Sequence, residues 1–132
     1  MALTRVDTVI TWAAATTKTL NNNTTYFDSD SIALDATTVQ ATIDVTTTNQ
    51  GTPATGDTVT FYAQYNSGTV EHSIPIGVLD TFATNTPGEN PASKTLVLPT
   101  TVPAAFKLLA VAPLSATRNQ IISATLTERR AA

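Results

Sequence analysis

The sequence contains no cysteine and one histidine among its 132 residues. Without thiols, neither a disulfide framework nor a thiolate metal site can form. A catalytic triad would have to be assembled around His72 alone. Glu71 cannot assist it directly, because neighbouring residues of a strand point to opposite faces. We therefore expect no enzymatic activity and no catalytic residue, and interpret His72 as a surface residue of an edge strand.

Charge is also scarce, since charged residues make up 13% of the chain and the net charge is −3. Nucleic-acid binding requires clustered basic residues that displace counterions. Only Arg129 and Arg130 are adjacent, and we interpret them as keeping a C-terminal tail solvated. We expect no nucleic-acid partner. Disorder is not the explanation, because the hydrophobic content is an ordinary 42%.

Long hydrophobic runs are missing as well. No segment approaches the roughly 18 apolar residues that span a bilayer. Arg5 and Asp7 interrupt the amino-terminal segment where the apolar core of a signal peptide would lie. We therefore expect no membrane partner and synthesis in the cytoplasm. The overlapping glycosylation sequons at residues 22–25 are then a polar turn.

The five glycines are dispersed, so no glycine-rich phosphate loop exists. Residues 28–31 (DSDS) begin like a calcium-binding loop, but the sixth position lacks glycine and Val39 stands where a bidentate glutamate belongs. We favour a solvated turn over an irregular calcium site. The sequence predicts no metal and no cofactor; the residues of the less favoured calcium site are Asp28, Asp30 and Asp35.

Threonine is abundant, at about one residue in five. Its β-branched side chain fits a pleated sheet. Period-two alternation recurs along the chain at spacings near ten residues, and no segment is convincingly helical. The pattern predicts an all-β fold: a single antiparallel β-sandwich, jelly-roll or Ig-like, of about seven or eight strands. The predicted strands cover residues 4–12, 24–34, 38–47, 57–65, 70–78, 94–101, 103–113 and 118–128.

Residues 1–20 form an extended amino-terminal arm or first strand, 21–128 the sandwich, and 129–132 the tail. Pro75 favours an edge position for its strand, because proline cannot donate to the ladder. A Pro-, Gly- and Asn-rich loop covers about residues 80–93. Residues 103–113 are compatible with a helix, but the prolines at both ends favour a central strand.

Alternation in DTVTFYAQY (57–65) assigns Val59, Phe61, Ala63 and Tyr65 to the core and leaves Tyr62 on the polar face. Such a ring suits a protein–protein contact or a sugar platform. The amino-terminal arm is also apolar on one face, and either closes its own sandwich or lies across a neighbouring subunit. The candidate interface residues are Val6, Ile10, Trp12, Tyr26 and Tyr62.

Three pieces read in order resemble the small β-sandwich structural proteins of tailed bacteriophages, in particular head decoration (cement) proteins. They are an alternating strand followed by DTVTFYAQYNSGT, a Pro/Gly/Asn-rich loop, and KTLVLPTTVPAAFKLLAVAP running into NQIISATLTE. The resemblance covers residues 37–128, about two thirds of the chain. It carries over no functional residue, because these patterns contain no catalytic motif.

The resemblance implies a virion structural protein that binds the outside of the assembled head, often as a homotrimer at threefold positions, and bridges neighbouring capsomers. Its partner would be the major capsid protein of the phage head. Assembly in the host cytoplasm and a final location on the capsid exterior are expected. The alternative is a carbohydrate- or receptor-binding β-module of a phage tail or adhesin, for which exposed aromatics and Asn and Asp loops are suited.

Overall fold

The computed structural model describes residues 2–21, 25–51, 58–80, 92–112 and 118–131. These residues form β-strands, and they contain no helix that is long and apolar enough to cross a membrane. The strands are β1 (Leu3–Ile10), β2 (Lys18–Leu20), β3 (Tyr26–Asp28), β4 (Ile32–Ala33), β5 (Thr38–Gly51), β6 (Thr58–Ser67), β7 (Val70–Asp80), β8 (Ala92–Val97), β9 (Ala105–Val111) and β10 (Arg118–Ala131).

The strands make two antiparallel sheets that pack against each other, which confirms the predicted β-sandwich. The first sheet has the order β1-β10-β5-β8, and β2 also pairs with β10. The second sheet has the order β3-β9-β6-β7, and β4 also pairs with β9. Strands β9 and β10 each have neighbours on both sides. The prediction of a central strand at residues 103–113 is therefore confirmed.

The order of the strands identifies the topology. β1 and β2 pair in succession with β10, and β3 and β4 pair in succession with β9. β1 and β2 together count as one interrupted strand, and so do β3 and β4, which leaves eight strands in chain order. In this numbering the first sheet has the order one, eight, three, six. The second sheet holds strands two, seven, four and five. This order is the double Greek key of a jelly roll. Of the two expected topologies, jelly-roll and Ig-like, the structure has the jelly roll.

The core follows the period-two pattern. Val59, Phe61 and Ala63 of β6 are fully buried, and Tyr65 packs against the core from its margin. The inward residues of β9 lie beside them in the same sheet, and those of β10 belong to the opposite sheet. Because neighbouring residues point to opposite faces, one apolar set per strand is sufficient to build this core. The inward residues of the two strands are Phe106, Leu108, Ala110, Ile122, Ala124 and Leu126.

Strand β7 lies at the edge of the second sheet, as Pro75 predicted. Its pairing with β6 shifts register between Phe61 and Tyr62, which places Gly77 opposite Phe61 and Pro75 opposite Tyr62. A Cβ atom on Gly77 would lie 2.3 Å from Cδ2 of Leu96 in the other sheet. Glycine therefore permits the close approach of the two sheets at this edge.

The structure differs from the sequence pattern at one end of the β5–β10 ladder. Val39 alternates with the inward residues Ala41 and Ile43, but it is exposed because the register skips it: Gln40 pairs with Arg129 and Thr38 with Arg130. Arg129 and Arg130, expected in a C-terminal tail, belong to β10. Residues 81–91 of the predicted loop lie outside the described residues.

Candidate functional site

The structure separates the five predicted interface residues into two groups. Ile10 and Trp12 belong to the core of their own chain, with exposed fractions of 4% and 1%. Val6 is half-buried in the middle of β1. In this arrangement the amino-terminal arm closes its own sandwich, because β1 pairs with β10 of the same chain. Tyr26 and Tyr62 lie on the other sheet, where Tyr26 is 65% exposed.

Strand β9 brings Tyr26 and Tyr62 onto one surface. Tyr26 of β3 pairs with Val111, and Tyr62 of β6 pairs with Leu109. Leu109 and Val111 are two residues apart on β9, so their side chains share a face. It is the outer face, because the intervening Ala110 is fully buried.

Val78 of β7 extends this surface to the sheet edge. It pairs with Thr60, which in turn pairs with Val111. Val78 is exposed, whereas Tyr62, Leu109 and Val111 are half-buried. The result is a surface area that contains two tyrosines and three aliphatic residues, with Thr60 between Val78 and Val111 and no charged residue among them. We call it the tyrosine face, and it comprises Tyr26, Tyr62, Val78, Leu109 and Val111.

Asp28 lies beside the tyrosine face, because it pairs with Leu109 across β3 and β9. Burial raises the pKa of its carboxyl; Lys107 opposes this rise in the pKa, and Glu71 adds to it. The Oδ1 atom of Asp28 is buried, and no residue in the described part of the chain hydrogen-bonds it. A buried acceptor without a donor is unfavourable, so this carboxyl would gain from a donor supplied by a bound molecule.

A polar cavity of about 390 Å³ continues from the tyrosine face. The Gln64 side-chain amide donates a hydrogen bond to Glu71 at its wall. Beside it the rings of Tyr65 and His72 stack with centroids 5.2 Å apart. His72 itself is exposed on edge strand β7, where it was predicted. The lining residues are Asp28, Ser31, Gln64, Tyr65, Asn66, Glu71, Ala105, Phe106 and Lys107.

The acidic residues considered for calcium have separate structural roles. Asp30 accepts hydrogen bonds from the Thr11 hydroxyl at 2.6 Å and from the Ala14 amide at 2.8 Å. Asp35 accepts from the amide and hydroxyl of Thr37. Among the described residues, no group of three or more His, Asp or Glu side chains is placed to hold a metal ion. The DSDS segment instead makes a bend between β3 and β4.

Asp30 supports an unusual turn at the end of the amino-terminal arm. The amide of Trp12 donates to the carbonyl of Ala15 at 2.7 Å, and the reverse bond is 3.0 Å long. The two residues between them, Ala13 and Ala14, have φ angles of 49° and 68°. Left-handed backbone at consecutive alanines is strained, and the bond from Ala14 to Asp30 offsets part of that strain.

Reasoning from sequence identified the two tyrosines but missed their neighbours. Leu109 and Val111 were visible in the pattern, because residues 103–113 are apolar on both faces of the strand. If the outer face of a strand is also apolar, either another element covers it or it remains on the surface as an exposed apolar patch. Val78 joins this surface through the register of β7 against β6, which no local sequence pattern predicts.

Comparison with known proteins adds no family assignment. The sequence matches no protein-family model, and no curated protein matches it significantly.

Proposed function

We propose that this protein is a virion structural protein that decorates a phage head. It binds the outer surface of the major capsid protein through the tyrosine face, and it bridges and thereby stabilises neighbouring capsomers. Its location is then the capsid exterior, reached after synthesis in the host cytoplasm. The homotrimer that the resemblance implies stays a prediction.

The observation that carries the proposal is the tyrosine face. Protein–protein interfaces have an uncharged, aromatic-rich centre and a polar rim. Here the centre is formed by Tyr26 and Tyr62 with aliphatic neighbours, and the rim by Asp28, Lys107 and Glu71. Jelly rolls occur in viral capsid proteins and in lectins alike, so the fold itself does not choose between the functions.

Asp28 adds a chemical requirement for the partner. Its buried Oδ1 atom has no donor among the described residues. A capsid surface that supplies a lysine, arginine or backbone amide at this point would satisfy it. Burial raises the pKa of Asp28. A cationic group that docks there favours the ionised carboxylate, so binding would strengthen as the pH rises through this raised pKa.

The test is co-sedimentation with phage heads in expanded and unexpanded forms. We expect the wild-type protein to pellet with at least one form. The double variant Tyr26→Ala/Tyr62→Ala should bind at least about tenfold more weakly, because truncating central aromatic residues of an interface removes most of its affinity. Deletion of residues 1–20 is a poorer test, since Ile10, Trp12 and Leu20 are part of the core.

A matched control is Val97→Ala on β8, because Val97 is 64% exposed but lies on the first sheet. This variant should bind heads as the wild type does. Failure of the wild type to bind either form of head would overturn the proposal. Equal binding by the double tyrosine variant would show that another surface makes the contact.

A second candidate function is carbohydrate binding, which the polar cavity favours. Its volume of about 390 Å³ suits a small ligand, and its amide and carboxylate side chains can hydrogen-bond hydroxyl groups. Glycan-array binding that is lost in Gln64→Ala but retained in Tyr26→Ala/Tyr62→Ala would favour this function over decoration.

A further inference from the structure

Strand β1 leaves one side without a partner in the described structure. It is the terminal strand of the first sheet and pairs only with β10. It runs for eight residues, Leu3–Ile10, in one unbroken register. It contains no proline and no bulge. An exposed edge of this kind presents unpaired amide and carbonyl groups to any strand that approaches it.

The other sheet edges are interrupted or short. Strand β7 carries Pro75 and a register shift, both of which oppose pairing. Strand β8 has six residues and carries Lys94, a charge that protects an edge. The edge formed by β3 and β4 is interrupted by the bend at residues 29–31. Among the described strands, β1 therefore has the edge best suited to pairing.

The sequence of β1 is complementary to itself in the antiparallel direction. Residues 3–9 read LTRVDTV, with Val6 at the centre. Arg5 and Asp7, which carry opposite charges, flank this centre. Thr4 and Thr8 follow on either side. The outermost pair, Leu3 and Val9, is apolar and exposed.

We propose that β1 pairs with β1 of a second copy of this chain, antiparallel, about a twofold axis through Val6. Arg5 then lies opposite the partner's Asp7, and Leu3 opposite the partner's Val9. The threonines pair with each other. Opposite-charge, apolar and Thr–Thr pairs are the favourable cross-strand pairs of an antiparallel sheet. The two first sheets, each four strands wide, would join into one sheet of eight.

The faces of the two strands agree in this register. Directly opposed residues of antiparallel strands point to the same face. The residues 3, 5, 7 and 9 are therefore matched on the outer face, and 4, 6 and 8 on the inner face. Within one chain Arg5 already contacts Asp7 at 3.1 Å, and both side chains are about half exposed. Pairing would bring the Arg5–Asp7 ion pairs of the two chains together as four charges of alternating sign, next to Arg129, which lies opposite Arg5 on β10.

This inference is independent of the surface used for capsid binding. The tyrosine face lies on the second sheet and stays open in the pair. An edge contact between two strands is small, so the dimer should form reversibly with concentration. A twofold dimer also differs from the trimer that the resemblance implies, and the two are distinguished by mass. Two tyrosine faces per particle would increase avidity for a repeating lattice.

The test is light scattering over a wide range of protein concentration. The wild-type mass should rise from that of one chain to that of two. Arg5→Asp alone and Asp7→Arg alone should each weaken self-association at least about tenfold, because each places like charges opposite each other twice. An equimolar mixture of the two variants should recover a dimer, since every charged pair is again opposite in sign.

The matched control is Lys94→Asp, a charge reversal on the opposite edge strand of the same sheet; its association should equal that of the wild type. Thermal melting checks that each variant is folded, because Asp7 also accepts a hydrogen bond from the Thr127 hydroxyl. Amide hydrogen exchange of the wild type provides a second measurement, with added protection in residues 3–9 at high concentration.

A wild-type protein that stays monomeric at every concentration would overturn the inference, and so would a trimer. It would also be overturned if the mixed variants stayed apart. Binding of heads by a strictly monomeric protein would leave the proposed decoration function intact and remove only the β1 pairing.

Discussion

Two alanines at the end of the amino-terminal arm are the most strained residues of the described chain. Ala13 and Ala14 both adopt left-handed backbone conformations between Trp12 and Ala15. The tightness of this turn allows Trp12 to enter the core and the chain to continue into β2. This turn was not predictable, because three consecutive alanines carry no turn signal. Hydrogen bonds to Asp30, distant in sequence, hold the turn.

Ala13→Gly/Ala14→Gly should therefore stabilise the protein. Left-handed backbone costs an L-residue roughly 1–2 kcal/mol, and the greater freedom of glycine in the unfolded chain cancels part of the gain. We expect a net increase of about 1 kcal/mol in the free energy of unfolding, measured by urea denaturation. Ala15→Gly is the control and should lower it, since Ala15 is not left-handed. A double variant with a lower free energy of unfolding than the wild type would show that the two alanines are not strained.

The elements of the fold were largely predictable from alternation, and their interruptions were not. β6, β9 and β10 were predicted because apolar residues alternate along them, although Gln120 and Glu128 of β10 are also buried. The break between β3 and β4 depends on Ser29, whose hydroxyl accepts from the Leu108 amide at 2.8 Å. The bulge that exposes Val39 likewise depends on how β5 meets β10. Contacts between segments so far apart in sequence leave no local pattern.

The edge element β7 provides a test of sheet-to-sheet packing. Gly77→Ala would place a methyl group 2.3 Å from the Leu96 side chain, which is buried and must move. We expect the free energy of unfolding to fall by about 1–3 kcal/mol. Gly68→Ala has open space around it but a left-handed φ of 65°. Comparing the two in the same denaturation assay separates overpacking from backbone strain. In a Leu96→Ala background the cost of Gly77→Ala should shrink, because the side chain that the new methyl group would contact is absent.

For the whole molecule, the sequence predicted a sandwich and two of its exposed aromatics but not the assembled surface. Tyr26 and Tyr62 lie on one surface only because β9 lies between β3 and β6, an adjacency set by the jelly-roll order. The buried charge at the other end of the sandwich was equally hidden. Alternation places Glu128 on the inward face, but its partners Asp35 and Thr38 are far away in sequence.

Stability of the whole fold should decline in acid, with Glu128 as a main contributor. Glu128 is 1% exposed; burial raises its pKa, but donors from Arg130, Thr38 and the Asp35 amide outweigh this and lower its pKa below the ordinary value. The unfolded chain then binds this proton more readily than the folded chain. The stabilisation is present above the unfolded pKa and is lost as the pH falls through the folded pKa.

Glu128→Gln should lower the free energy of unfolding by about 2 kcal/mol at neutral pH, because Arg130 loses its charged partner at 2.7 Å. The difference from wild type should shrink in denaturation curves recorded below the lowered folded-state pKa of Glu128, where the wild-type carboxyl also becomes neutral. Glu71→Gln, on an exposed residue, is the control and should change little at either pH. If Glu128→Gln lowers the free energy of unfolding equally at neutral and at low pH, Glu128 is not the titrating group.

The position of β10 has a consequence for the order in which the fold forms during synthesis. This strand, the last along the described chain, lies between β5 on one side and β1 and β2 on the other. While residues 118–131 are still inside the ribosome, β1 and β5 have no strand to join them. Strands β1 and β2 must therefore stay unpaired until β10 emerges, whereas β5 can already pair with β8, and the first sheet closes only when β10 inserts between them.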